Sequence, residues 1–216
     1  MKSSDILIEI NNISKSFKDT KVLNNVNLKC NSGKIYGIIG HNGSGKTVLF
    51  KCICGFLHVD KGQILVNNRV MGKDMDMLTN AGVIIEEPGF LKGWSAYHNL
   101  EFLYTIRNKN NKEHLYNVLR MVGLDPLLRK PVDKYSLGMK QRFAIAQAIM
   151  ENPSILILDE PMNGLDKNGV EEMRELFVKM KEENKLIILA SHNKDDIEFL
   201  CDEVYEIENG QMSKVL

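Results

Sequence analysis

The sequence predicts an α/β fold: a mostly parallel sheet covered by helices, with an antiparallel β-subdomain and an inserted α-helical subdomain. Three patterns lead there. Four short runs with little polar interruption, 35–39, 83–85, 155–158 and 186–190, read as strands buried on both faces, as in a parallel sheet between helices. The opening reads differently, as antiparallel strands: 6–10, then 22–28 with alternating apolar positions, then 62–70, where Asn67-Asn68 marks a turn between short strands. In the middle, Leu100, Leu103 and Ile106, then Leu115, Val118, Leu119 and Val122, recur at the spacing of one helix face, with Gly123 as a stop.

A helix over about 169–181, with Val170, Met173, Phe177 and Met180 on one face, supplies a cover for the parallel sheet. The end, 204–212 around Asn209-Gly210, reads as a hairpin. The expected division is one domain over 1–216. Its β-subdomain takes about 5–35 and 60–75, the core about 35–90 and 152–216, and the helical subdomain about 90–150.

Composition narrows the function. The chain has 216 residues, 44% of them apolar, which suffices for a buried core. Lys+Arg and Asp+Glu both number 28, so no overall charge points to nucleic acid or to an anionic membrane surface. Cys30, Cys52, Cys54 and Cys201 lack paired metal-binding spacing and read as reduced core residues, suited to the cytosol. The apolar runs fall far below the ~20 residues of a membrane crossing, and residues 1–5 lack the apolar stretch of an export signal.

Gly40, His41, Asn42, Gly43, Ser44, Gly45, Lys46 and Thr47 follow a buried strand and precede a helical run beginning at Val48, the setting of a P-loop. Glycines let backbone N–H groups turn inward around phosphate oxygens, and the helix N-terminus adds partial positive charge. Lys46 would hold the β- and γ-phosphates, and Thr47 would offer its hydroxyl to Mg²⁺. A second buried strand delivers Asp159 and Glu160 at its C-terminal end, where ligands bind in open α/β sheets. Asp159 is placed for Mg²⁺, and Glu160 for polarising the attacking water. Ser191-His192 follows a third such strand, so His192 is a candidate for the γ-phosphate and the same water.

Ser136 reads as a helix N-cap ahead of the Ala-rich stretch 143–150, which Asn152-Pro153 ends. The segment Ser136-Leu137-Gly138-Met139-Lys140-Gln141-Arg142 resembles the signature of ABC ATPases, usually Leu-Ser-Gly-Gly-Gln, and stands in that family's motif order. The resemblance spans essentially the whole chain and implies a P-loop ATPase core that binds ATP and Mg²⁺. Phe17 stands where the family has an aromatic that stacks on adenine; a plug within the β-subdomain is the other reading. Asp166, in Gly164-Leu165-Asp166, looks like the loop through which two subunits sense each other. His192 matches the switch histidine.

The resemblance further implies two copies of this or a similar chain packed head to tail around two ATP molecules. Lys46, Thr47, Asp159, Glu160 and His192 would come from one copy, Ser136 and Gly138 from the other. The assembly would drive separate transmembrane permease subunits from the cytoplasmic face, with no nucleic-acid partner. Two departures stand out: Leu137 and Met139 in the signature, and Glu86 where the family carries a metal-contacting Gln. Both look like the bacitracin and lantibiotic transporter type. Glu86 offers the same oxygen with a full negative charge, offset only by Mg²⁺, Lys46 and helix N-termini. Phe90 and Trp94 are expected either to line a groove for a membrane subunit or to seal the helical subdomain. A non-transport ABC-type ATPase, or a regulatory nucleotide-binding subunit with low turnover, is the alternative function.

Overall fold

The first two strands, β1 (Ile6–Phe17) and β2 (Thr20–Asn31), are twelve residues each, longer than their alternating segments suggest. The reason is a bulge. Pairing shifts between Ile10 and Ile13, where Asn12 turns left-handed at φ +51° and its N–H donates to the Asn27 side chain at 2.9 Å. The extra residue lets Ile10 and Ile13 both face inward, breaking the period-two pattern by which a strand is read. The coordinates, a computed structural model, describe residues 6–86 and 89–216, so the opening 1–5 and Glu87-Pro88 fall outside them.

The chain continues through β3 (Ile35–Ile39), α1 (Lys46–Cys54), β4 (Lys61–Val66) and β5 (Arg69–Val70). One sheet has the order β2-β1-β4-β5 and is antiparallel throughout. Next come β6 (Ala81–Ile84), α2 (Ala96–Thr105), α3 (Lys112–Met121), α4 (Leu137–Ile149), β7 (Ile155–Asp159), α5 (Lys167–Glu182) and β8 (Leu186–Ala190). The last elements are α6 (Lys194–Leu200), β9 (Glu203–Glu208) and β10 (Gln211–Lys214). The second sheet runs β10-β9-β3-β8-β7-β6, parallel except for the β9–β10 hairpin.

Alternation decides what each face of this second sheet meets. Ile155 and Ile157 of β7, with Leu186, Ile188 and Ala190 of β8, join Leu49, Phe50 and Ile53 of α1 and the buried side chains of β1, β2 and β4. Leu156 and Leu158, with Ile187 and Leu189, point the other way, into side chains from α2 to α6. Successive strand residues face opposite sides, so an unbroken apolar run is required where both sides are covered. The expected helix face divides between α2 and α3. Leu100 is buried and Leu103 partly so, but Ile106 lies past the end of α2 and is 67% exposed, which corrects its placement on that face.

Two elements differ from the sequence reading. Strand β6 begins at Ala81 and stops before Ile85; its first two residues, Ala-Gly, have little strand propensity of their own, and glycine is required at 82 because a side chain there would run into the Ala148 carbonyl of α4. Helix α6 offers only Ile197 and Leu200 as buried apolar residues, too few for a period to show. The four cysteines are free; burial pushes the Cys52 thiol up to about 11 and those of Cys54 and Cys201 up to about 12.

Candidate nucleotide site

The turn after β3 wraps into the first helix because its glycines permit it. A Cβ on Gly40 (φ +148°) would strike the Ile207 carbonyl of β9, and Gly45 takes φ +111° at the N-cap of α1. The Lys46 ammonium donates to the Gly40 carbonyl at 2.7 Å and the His41 carbonyl at 3.2 Å. It is 9% exposed, and among the described residues no carboxylate pairs with it. The Ser44 hydroxyl is buried without a partner. A cation held by carbonyls alone, at the N-terminus of a helix with no side-chain cap and beside an unused hydroxyl, suits an anion.

Strand β7 brings its carboxylates to the same place. Thr47 Oγ1 donates to Asp159 Oδ2 at 2.7 Å, joining the start of α1 to the end of β7. Glu160 takes a left-handed backbone (φ +51°), with its N–H on the Ala190 carbonyl at 3.0 Å. Its Oε2 lies 2.8 Å from Nδ1 of His192 and accepts the His192 N–H at 3.4 Å. His192 is otherwise exposed.

Lys46, Thr47, Asp159 and Glu160 open onto a cavity of about 820 Å³, within the range of small-molecule sites, whereas His192 reaches it only through Glu160 and is not in its lining. Phe17, Asn42, Gly43, Gly45, Lys46, Thr47, Val48, Glu86, Asp159 and Glu160 line it. Phe17 is 44% exposed, with the Lys15 ammonium 5.6 Å from its ring, so it plugs nothing. Gly40 and Ser44 are not in this lining. His41 is exposed and, with Ser44, borders a smaller neighbouring hollow.

Ser136, Gly138 and Asp166 do not line the cavity. Ser136 caps α4, its hydroxyl accepting the Met139 N–H at 3.3 Å, and Asp166 caps α5, accepting the Gly169 N–H at 2.9 Å. A Cβ on Gly138 would come within 3.0 Å of the Gly164 carbonyl, so signature and Asp166 loop pack directly together.

Three contacts escaped the sequence reading. Lys51 Nζ sits 2.6 Å from Glu86 Oε1, so a resident cation answers the Glu86 charge that the sequence alone leaves to the metal, Lys46 and helix N-termini. Lys51 is four residues beyond Thr47, hence on the same face of α1, and that spacing was the available signal. Gln141 donates from Nε2 to the carbonyls of Glu160 (3.2 Å) and Pro161 (2.9 Å), tying α4 to the end of β7. Phe90 borders the nucleotide cavity, with Lys140 Nζ 5.6 Å from its ring, whereas Trp94 is 44% exposed beside Phe102. Phe90 also packs against the core formed with the helices, whereas Trp94 does not line the nucleotide cavity.

Among the described residues, no helix is long and apolar enough to cross a membrane. The model of the ABC transporter family matches residues 23–163. The chain is 38% identical to the uncharacterized ABC transporter ATP-binding protein YybJ of Bacillus subtilis, over 95% of this chain and 94% of the relative. It is 37% identical to the lantibiotic transport ATP-binding protein SrtF of Streptococcus pyogenes (95% and 89%). Identity is also 37% to the bacitracin transport ATP-binding protein BcrA of Enterococcus faecalis (98% and 70%). Among solved structures, cbiO1 of Clostridium perfringens, part of the transporter complex cbiONQ, superposes with a TM-score of 0.82 at 30% identity, covering 97% of this chain and 87% of that one. The ATP-binding cassette MJ0796 shares the fold, with a TM-score of 0.87 at 22% identity, covering 97% and 99%. With the phosphate-loop cradle, the paired carboxylates and these likenesses together, the chain belongs to the ABC transporter family as an ATP-binding subunit.

Proposed function

We propose that this subunit binds ATP with Mg²⁺ in the larger cavity and hydrolyses it while paired head to tail with a second, similar subunit. In that way it powers a separate permease at the inner face of the membrane. The observation carrying this reading is the Glu160–His192 contact at 2.8 Å beside the Thr47–Asp159 pair and the unpaired Lys46 ammonium. Lys46 would exchange its carbonyl acceptors for phosphate oxygens, and Phe17 would cover the base. Among the described residues no cluster of three or more acidic, His or Cys side chains could hold a metal alone. Thr47, Asp159 and Glu86 fit an ion that takes its remaining ligands from phosphate and water, as Mg²⁺ does. Bound there, Mg²⁺ would supply neutralising charge to the phosphates.

Glu160 accepts the proton of the attacking water, and His192 holds the carboxylate in one orientation. Ser136 and Gly138, outside the chain's own cavity lining, are assigned to the nucleotide of the second subunit, toward which α4 directs its N-terminal amides. Asp166 reports between the two copies. The names of SrtF and BcrA support antimicrobial peptides as the transported class. For the permease, the structure offers a groove of about 500 Å³ between the edge strand β6, the end of α2 and α4, walled by Val83, Leu103, Ile106 and Ala148. Glu86 borders the nucleotide cavity, and Gly89, three residues on in sequence, borders this groove.

Glu160→Gln tests the reading. The amide keeps the shape but cannot take up a proton, so ATP should bind, turnover should cease, and a dimer should form only with ATP. Parental turnover, or a monomer by light scattering with ATP present, overturns it.

A further inference from the structure

Asp196, on α6, is a carboxylate that the site described above does not use, yet it is 2% exposed. Its Oδ1 accepts two hydrogen bonds from Arg174 of α5, from Nε at 2.9 Å and from Nη2 at 2.5 Å. Its Oδ2 accepts the Ser191 hydroxyl at 3.3 Å, and that hydroxyl accepts the Asn193 N–H at 3.1 Å. The guanidinium is covered by the Phe199 ring at 5.3 Å. Both neighbours of His192 in the chain are thus gathered on one hydroxyl, and that hydroxyl hangs from a buried ion pair.

Stability gives no reason for such a pair. Burying two charges is costly, and well-packed apolar residues in their place are often as stable or more so; the best attested use of a buried pair is to select one arrangement among several. The arrangement selected here is that of the turn 191–193. His192 is mostly solvent-facing, and among the described residues its imidazole hydrogen-bonds only Glu160. Nothing in its own packing would keep Nδ1 at 2.8 Å from that carboxylate. The turn beneath it must do so.

We propose that Arg174, Asp196 and Ser191 form a positioning relay that sets the orientation of His192 toward Glu160. None of the three touches nucleotide or the reacting atoms; they act through the backbone on either side of the imidazole. Because Arg174 belongs to α5, capped at its start by Asp166, the relay also anchors His192 to the helix that follows the Asp166 loop. The proposal rests on the reading of His192 as part of the hydrolytic site.

The test uses the full chain without nucleotide, read by nitrogen resonances of its imidazoles. The chain has five histidines, and the His192 signals are the pair lost in His192→Gln. Ser191→Ala removes one hydroxyl and leaves the ion pair in place. It should move both His192 signals toward their positions in Glu160→Ala while the other four histidines stay put. Asp196→Asn and Arg174→Met should do the same, and Arg174→Lys, which keeps the charge with a different donor geometry, should recover part of the shift. Turnover should fall about tenfold at unchanged ATP affinity, the signature of misplacement rather than lost binding. Parental His192 signals in Ser191→Ala overturn the relay, and this variant decides even where the Asp196 or Arg174 variants do not fold. Full turnover in His192→Gln would instead defeat the reading of His192 itself, leaving the spectra to judge the relay separately.

Discussion

Glu86 shows what one side chain changes. Its carboxylate shares a cavity with Asp159 and Glu160, and from sequence alone only a metal, Lys46 and helix ends stood against that crowding. Lys51 at 2.6 Å alters the balance. As a contribution to stability the contact is small, because both groups are partly exposed and such pairs give about 0–1 kcal/mol. Its effect lies in the charge that a metal must offset. A carboxylate freed of its resident cation attracts a divalent metal more strongly, so we expect the Mg²⁺ concentration for half-maximal ATPase rate to fall in the order Glu86→Gln, parent, Lys51→Met. The double variant Lys51→Met/Glu86→Gln should return to the Glu86→Gln value. A Mg²⁺ titration of the four proteins measures this, and equal midpoints for parent and Lys51→Met would count against Lys51 as the counterion. The glycine-rich turn between a strand and a helix made Lys46 and Thr47 legible in advance, and the unbroken apolar strand that precedes Asp159 and Glu160 did so for that pair. Lys51 was not, because its partner comes from a strand end 35 residues away.

At the scale of elements, the closing hairpin is held by a small charge network. Glu203, at the start of β9, receives Lys34 at 2.7 Å and Lys214 of β10 at 3.0 Å, and Tyr205 donates its hydroxyl at 3.0 Å. Burial pushes the Glu203 carboxyl up, but the hydrogen bonds from Lys34, Lys214 and Tyr205 outweigh it and hold the group at about 2, below its ordinary value of 4.5. A carboxylate depressed on folding adds stability that is fully present above its unfolded value and drains away as pH falls through the folded one. Urea unfolding between pH 5 and 3 should therefore show a steeper loss of stability in the parent than in Glu203→Gln. Parallel curves would mean that the network does not anchor the hairpin. The elements most legible in sequence were those buried on two sides, β3, β7 and β8, because a short unbroken apolar run between turn residues needs cover on both faces. Those that stayed obscure each had a local cause: a left-handed Asn12 in β1, a Gly82 pressed against α4, and an α6 with two apolar anchors.

For the whole molecule, the question is how a change at the nucleotide would reach a partner. Glu86 borders the nucleotide cavity and Gly89 borders the groove, and Gln147 of α4 donates to the Gly89 carbonyl at 3.1 Å. If the groove receives the permease, a charge placed in its wall should break assembly and spare the ATPase. Ile106, 67% exposed, can carry an acidic side chain without disturbing the core. We expect Ile106→Asp to keep the parental melting temperature and basal turnover while losing most permease in an affinity pull-down from native membranes. Undiminished recovery would place the docking surface elsewhere. No sequence pattern announced this groove, because its walls come from β6, α2 and α4 and meet only in the fold.

The strand order has a consequence for how the protein comes into being. The strand that presents the phosphate loop, β3, is read early, yet its two neighbours in the sheet are β8 and β9, made more than 140 residues later. A nascent chain that has emerged only to residue 180 carries every residue from Gly40 to Glu160 and still lacks the sheet that would aim them at a common point. Even the conformation of Gly40 is defined against a carbonyl of β9. During synthesis the loop is thus a motif before it is a site, and ATP can act as a ligand only for a chain whose late strands have closed around an early one.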